Sequence, residues 1–193
     1  MSDNKSNLDI GSLQVKVNSY NEILSNTINY RKDWHDQLKP MLVSGLGQII
    51  KETGLKAKVE IKDNIQNLEV VVLTLGSDVS GLGEKLEGSN ATRPMIKHKG
   101  ALVYQQLFNG KMLILIMYPS IEGYGEPRPP RTVEILRPHE MKEPFILRHV
   151  EEFMQEIIAW EDYDDDKDDT AKVNPIGFNM AMDDVMVDDI QGK

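Results

Sequence analysis

Apolar residues in the first forty positions recur in alternating steps of three and four. Ile10, Leu13, Val17, Tyr20, Leu24, Thr27, Arg31, Trp34 and Leu38 share one face of a helix at that spacing. Ser19 followed by Glu22 matches a capping box, so a helix is expected to begin at Ser12 or to restart at Ser19. Thr27 and Arg31 place polar groups on the stripe and weaken a coiled-coil reading. The expectation is a helix packed on its own sheet. Pro40 suits the first turn of a second helix, with Met41, Leu42, Leu46, Ile49 and Ile50 as its apolar face and Gly54 at its left-handed end.

The period then shortens to two. Leu55, Ala57, Val59 and Ile61 alternate with Lys56, Lys58, Glu60 and Lys62, the pattern of a strand with one wet face. Asp63-Asn64 marks a turn, and Leu68 to Leu75 reads as a second strand, antiparallel to the first. Residues 76–99 show no period and carry Gly76, Gly81, Gly83 and Gly88, which predicts a long loop with one short helical turn at Leu82 and Leu86. Ala101–Phe108 and Lys111–Tyr118 flank Asn109-Gly110, the preferred pair for a type I′ hairpin turn. Met112–Met117 has no polar face and is expected to be a central strand. After a Pro- and Gly-rich exposed loop, Thr132–Leu136 reads as a fifth strand. Pro138 and Pro144 bracket a turn. Phe145–Trp160 reads as a helix with Leu147, Val150, Phe153, Met154, Ile157 and Ile158 inward.

These elements predict an α+β fold: an antiparallel sheet of four to five strands, with two N-terminal helices and one C-terminal helix on one face. Residues 1–11 read as a disordered lead, 12–160 as a single domain and 161–193 as an acidic tail.

Charge sharpens that last boundary. The 193 residues carry a net charge of −9. Residues 161–193 hold eleven acids and three bases, a charge of −8, which leaves −1 for everything else. A nearly neutral domain with a strongly acidic appendage argues against nucleic-acid binding by the chain as a whole. The chain has no cysteine, which excludes disulfides, thiol nucleophiles and thiolate metal sites. The longest apolar run, Met112–Tyr118, falls far short of the ~20 residues that span a bilayer. The polar Met1–Ser6 is not followed by a segment of signal-peptide type, so the expected location is the cytoplasm, or an assembly built there.

Several constellations invite chemistry. Gly76–Gly81 follows a strand like the start of a phosphate loop, but Leu82 and Gly83 stand where Lys and Ser or Thr are needed. Glu60-Ile61-Lys62 resembles the Glu-x-Lys pair of magnesium-dependent nucleases, and Glu69 on the paired strand offers a second carboxylate. The competing reading is the polar face of an alternating strand. His139-Glu140 opens like a zinc-protease helix, yet Glu143 replaces its second histidine. Asp162, Asp164 and Asp166 alternate as in a calcium loop, but Lys167 replaces the required Gly and Val173 the bidentate Glu. No metal site or cofactor is implied. Arg128, Arg131, Arg137, Lys142 and Arg148 could meet as a basic patch.

The tail is studded with apolar residues. Met182, Val185, Met186 and Ile190 fall near helical spacing among aspartates, and Phe178 precedes them. Such a segment suits docking on a partner. The resulting expectation is a non-enzymatic protein-interaction module: an assembly factor, chaperone, adaptor or phage or mobile-element accessory protein. It would engage a protein partner through Phe178, Met182, Val185 and Met186. Ten methionines and the apolar tail also fit a homo-oligomer. Two alternatives stand beside this: a magnesium-dependent nuclease or other phosphate-handling enzyme using Glu60, Lys62 and Glu69, and an acidic nucleic-acid mimic that blocks a DNA-binding partner.

Overall fold

The computed structural model describes residues 9–86, 88 and 90–162. Its first element is one helical path from Gly11 to Thr53 in three parts: α1 (Gly11–Asp33), a π-helical turn (Trp34–Leu38) and α2 (Lys39–Thr53). Pro40 explains the π turn. Proline has no N–H to give and its ring presses on the carbonyl four residues back. The wider turn just upstream relieves that pressure, with the Lys39 N–H reaching back five residues to the Trp34 carbonyl. The helix does not restart at Ser19, which lies inside an unbroken α1. Gly54, with φ of 69°, closes α2 in the left-handed conformation expected of it.

Five antiparallel strands follow in the spatial order β1 (Lys58–Lys62), β2 (Val70–Thr74), β5 (Ala101–Gln106), β6 (Met112–Met117) and β8 (Arg131–Leu136). After β8, a 3₁₀ turn at Pro138–Glu140 leads into α3 (Glu143–Glu161). The α+β class is therefore as the sequence pattern has it, and α2 and α3 cover one face of the sheet. Trp34, Leu38, Leu42 and Leu46 from the helical path meet Leu73, Leu102, Tyr104, Ile114 and Ile116 from the sheet. Ile146, Val150, Phe153 and Ile157 of α3 complete this core. Leu147 and Ile158, expected inward, are instead 51% and 59% exposed; α3 is turned so that Ile146 and His149 point in.

Residues 76–99 are not a loop. β3 (Ser77–Lys85) and β4 (Thr92–His98) form a hairpin, and β7 (Ser120–Ile121) joins it to make a second, three-stranded sheet. This hairpin continues the β2–β5 ladder: Leu75 N–H donates to the Gly100 carbonyl and Lys99 N–H to the Gly76 carbonyl. Gly100 sits at the bend with φ of 94°, where a Cβ would lie 2.8 Å from the Met117 carbonyl oxygen. The ribbon is exposed along nearly all of β3, so neither of its faces needed apolar alternation and the period was lost. The helical turn expected at Leu82 and Leu86 is absent because Leu82 lies within β3 and Leu86 directly follows it.

The β5–β6 hairpin forms where Asn109-Gly110 placed it, with a different turn. Gly110 has φ of 77°, but Asn109 is not left-handed, as type I′ requires. Gly110 N–H donates to the Leu107 carbonyl and Leu107 N–H to that of Lys111, a three-residue loop closed by a glycine bulge.

Candidate functional site

α1 begins at Gly11, inside the stretch read as a lead, and has no buried residue. From Asp9 to Ser25 every position is exposed. The helix was expected to lie on its own sheet, but only its last turns reach the body. There the β5–β6 turn stops the contact. A Cβ on Gly110 would fall 2.7 Å from Tyr30 Cβ and 3.0 Å from the Thr27 carbonyl oxygen. Arg31 Nη2 donates to the Phe108 carbonyl at 2.8 Å. Of the two polar stripe residues, Arg31 seats the helix on this turn through its side chain, while Thr27 meets the turn with its carbonyl and gives its hydroxyl to the Ile23 carbonyl of the same helix.

Beyond the turn the same side of the helix continues uncovered among the described residues. Ile10, Leu13, Val17, Tyr20, Ile23, Leu24 and Ile28 fall within an arc of about 140° at the helical 100° per residue, and each is 41–68% exposed. Phe108, 74% exposed, stands at the foot of this face. Continuous apolar surface of this extent is uncommon on a soluble monomer.

Two polar clusters lie in the body, and both are closed. Glu69, 6% exposed, accepts from Trp34 Nε1 at 3.2 Å and from Lys39 Nζ at 2.6 Å. His35 Nδ1 lies 3.6 Å away. Burial pushes the Glu69 carboxyl up, but the hydrogen bonds from Lys39 and Trp34 and the nearby charge outweigh it, holding the group below the usual carboxylate range. The cluster clamps the π turn to the start of β2.

The second cluster is a buried relay across the sheet. His149 Nε2 is 2.6 Å from Glu134 Oε1 on β8. A carboxylate only accepts, so Nε2 carries the hydrogen, and Nδ1 accepts from the Tyr104 hydroxyl at 3.3 Å. Arg148 converges on the same Glu134 oxygen. Burial lowers the His149 pKa more than Glu134 raises it. Burial, with Glu134 next, drives the Tyr104 hydroxyl far above its ordinary range. His149 and Tyr104 are fully buried, while Glu134 and Arg148 reach the surface.

The residues singled out in the sequence are not gathered into a catalytic site. Glu60 and Lys62 stand opposite Val72 and Val70 in the ladder, on the face of the sheet turned away from the helices, where Val72, Ala101 and Val103 form a second apolar cluster. Glu69 turns the other way, to the helical face. The nuclease-like trio is thus split by the sheet itself, because alternation sends neighbouring positions to opposite sides. Among the described residues, no group of three His, Asp or Glu side chains is arranged to hold a metal ion.

The basic residues do not form an open patch either. Arg131 is held by Glu152 at 3.0 Å and Glu156 at 3.3 Å, Arg137 by Glu140 at 3.2 Å, and Arg148 by Glu134. Arg128 lies over the Tyr118 ring at 4.1 Å, and Lys142 precedes the first turn of α3. In the β3–β4 hairpin, Lys97 bonds Glu161 at 2.5 Å and Lys99 pairs with Asp78. Phe178, Met182, Val185 and Met186 lie outside the described residues.

Open depressions include one of about 290 Å³ beside Arg131 and Glu156 and one of about 250 Å³ between the π turn and His139, lined also by Asp33 and Lys142. No helix among the described residues is long and apolar enough to cross a membrane. No family model, curated protein or solved structure matches the chain.

Proposed function

We propose that the chain is a non-enzymatic protein-interaction module whose working surface is the uncovered face of α1. The supporting observation is a helix that leaves its body at Thr27 and presents six large apolar side chains of that face beyond it. Glu69 and His149 are each engaged by partners within the fold. Assembly factor, chaperone and adaptor are the roles that such a surface serves. The acidic tail adds long-range steering toward a partner of opposite charge, and an apolar segment of its own. Docking therefore moves from the tail alone to α1, with the tail as a second arm.

The test is affinity capture with three baits: the full chain, a variant with Leu13, Val17, Tyr20 and Leu24 changed to Ser, and a chain ending at Trp160. The expected result is a partner retained by the shortened chain and lost from the α1 variant. A partner lost only on shortening would return the role to the tail. Capture unchanged by either alteration would sink the module reading in both forms.

A further inference from the structure

We infer that the occupant of the α1 face is a second copy of this chain, docked antiparallel, helix along helix. The inference rests on the reading that α1 is the working surface.

The free half of α1 needs a neighbour. Its sequence is rich in Val, Ile, Ser, Asn and Tyr, all weaker helix formers than Ala, Leu or Lys. Isolated helices shorter than ~12–15 residues are marginal in water even when rich in Ala, and most helical stability comes from packing an apolar face. Among the described residues, nothing gives residues 9–25 such packing within one copy.

The stripe is built to meet itself. Spacing of three and four residues makes a helix-pairing seam. Reversed about its midpoint, between Asn18 and Ser19, that seam sets Leu13 against Leu24 and Val17 against Tyr20. It also brings Ile10 of one copy beside Thr27 of the other, at the foot where Phe108 is exposed. The β5–β6 turn selects the direction. It occupies the seam side at Thr27 and Arg31. In a parallel pair two such turns would meet at the same level and hold the helices apart. In an antiparallel pair each turn lies at the end of the other helix. The uncovered seam, Ile10 to Leu24, fills the interval between helix start and turn.

Charge and exposure agree. Between Gly11 and Ser25 the only charged residues are Lys16 and Glu22, so the paired helices themselves carry no net charge. The seam side chains Ile10, Leu13, Val17, Tyr20 and Leu24 are 41–61% exposed in one copy, apolar surface that a second copy would cover.

The full chain is tested by sedimentation equilibrium, beside the double variant Leu13→Asp, Leu24→Asp. A dimer is expected, with self-association roughly 100-fold weaker in the variant and the melting of the body unchanged. Because the chain has no cysteine, direction is read by introducing one. Leu13→Cys chains mixed with Leu24→Cys chains should crosslink on mild oxidation, and neither should do so alone. Crosslinking of Leu13→Cys alone would mean a parallel pair and overturn the arrangement. A wild-type monomer at roughly 100 μM would overturn self-pairing. If the monomer's α1 Ser variant still loses a captured partner, the docking reading survives with another occupant. If it loses nothing, both fall.

Discussion

One helix passes through two environments. Between Trp34 and Leu46, four apolar side chains are 0–2% exposed. Between Ile10 and Leu24, side chains of the same kind stand in solvent. The two stretches have similar apolar content, though α2 is the more sharply amphipathic helix, so apolar content alone does not distinguish a covered helix from an uncovered one. The difference is made elsewhere, by the turn at Leu107–Lys111 that ends the body and by the Glu69 clamp that fixes the lower half. Amphipathic spacing says that a helix has a face to bury; it does not say against what.

Perturbations on either side should separate the halves. The largest effect is expected from Trp34→Ala, which empties a fully buried position and removes the indole donor to Glu69. It should cost ~3–5 kcal/mol in denaturant unfolding. Glu69→Ala leaves Trp34 Nε1 and the half-buried Lys39 ammonium without their acceptor, and ~2–3 kcal/mol should be lost. Acid should act next. His149 binds its proton less readily in the folded chain, because burial penalises the charged form. The associated stability is present above about pH 6.5 and declines as pH falls below it; Glu69 repeats this trend below about pH 4.5. A melting temperature measured from pH 8 down to 5 should fall on the acid side, and His149→Gln should flatten that range. The smallest effect should come from Leu13→Ser in a dilute sample, within ~0.5 kcal/mol for the body. If Leu13→Ser destabilised the body as Trp34→Ala does, the two halves would not differ, and the upper half would have an intramolecular partner.

Much of the fold was legible because it obeys one period at a time. The alternation of β1, the Asn-Gly hairpin and the final helix follow from local spacing and turn chemistry. The arm formed by β3 and β4 was illegible for the converse reason. A ribbon wet on both faces places no demand on alternate positions, and its glycines resemble loop glycines. His149 was also missed as an inward residue. The signal was present in its spacing, since Ile146, Val150, Phe153 and Ile157 surround it at helical intervals. Its partners, Tyr104 and Glu134, lie on two other elements, and no local pattern joins them. The candidate site was half legible: the stripe on α1 was visible, but its exposure depends on where the β5–β6 turn ends the body.

The π turn between α1 and α2 has a consequence for how this chain tolerates change. It holds one more residue per turn than its flanks, so it absorbs that residue while keeping the phase between two rotors on a common shaft. The regular helix above it has no such slack. Deleting one residue between Leu24 and Thr27 would swing everything upstream by about 100° about the axis. Thr27 and Arg31 would keep their seat on the Leu107–Lys111 turn, while the apolar stripe faced a new direction. Every side chain of that stripe would be present and correctly spaced, yet aimed elsewhere. For this chain, the count of residues between seat and stripe is as much a part of the proposed interface as the residues that line it.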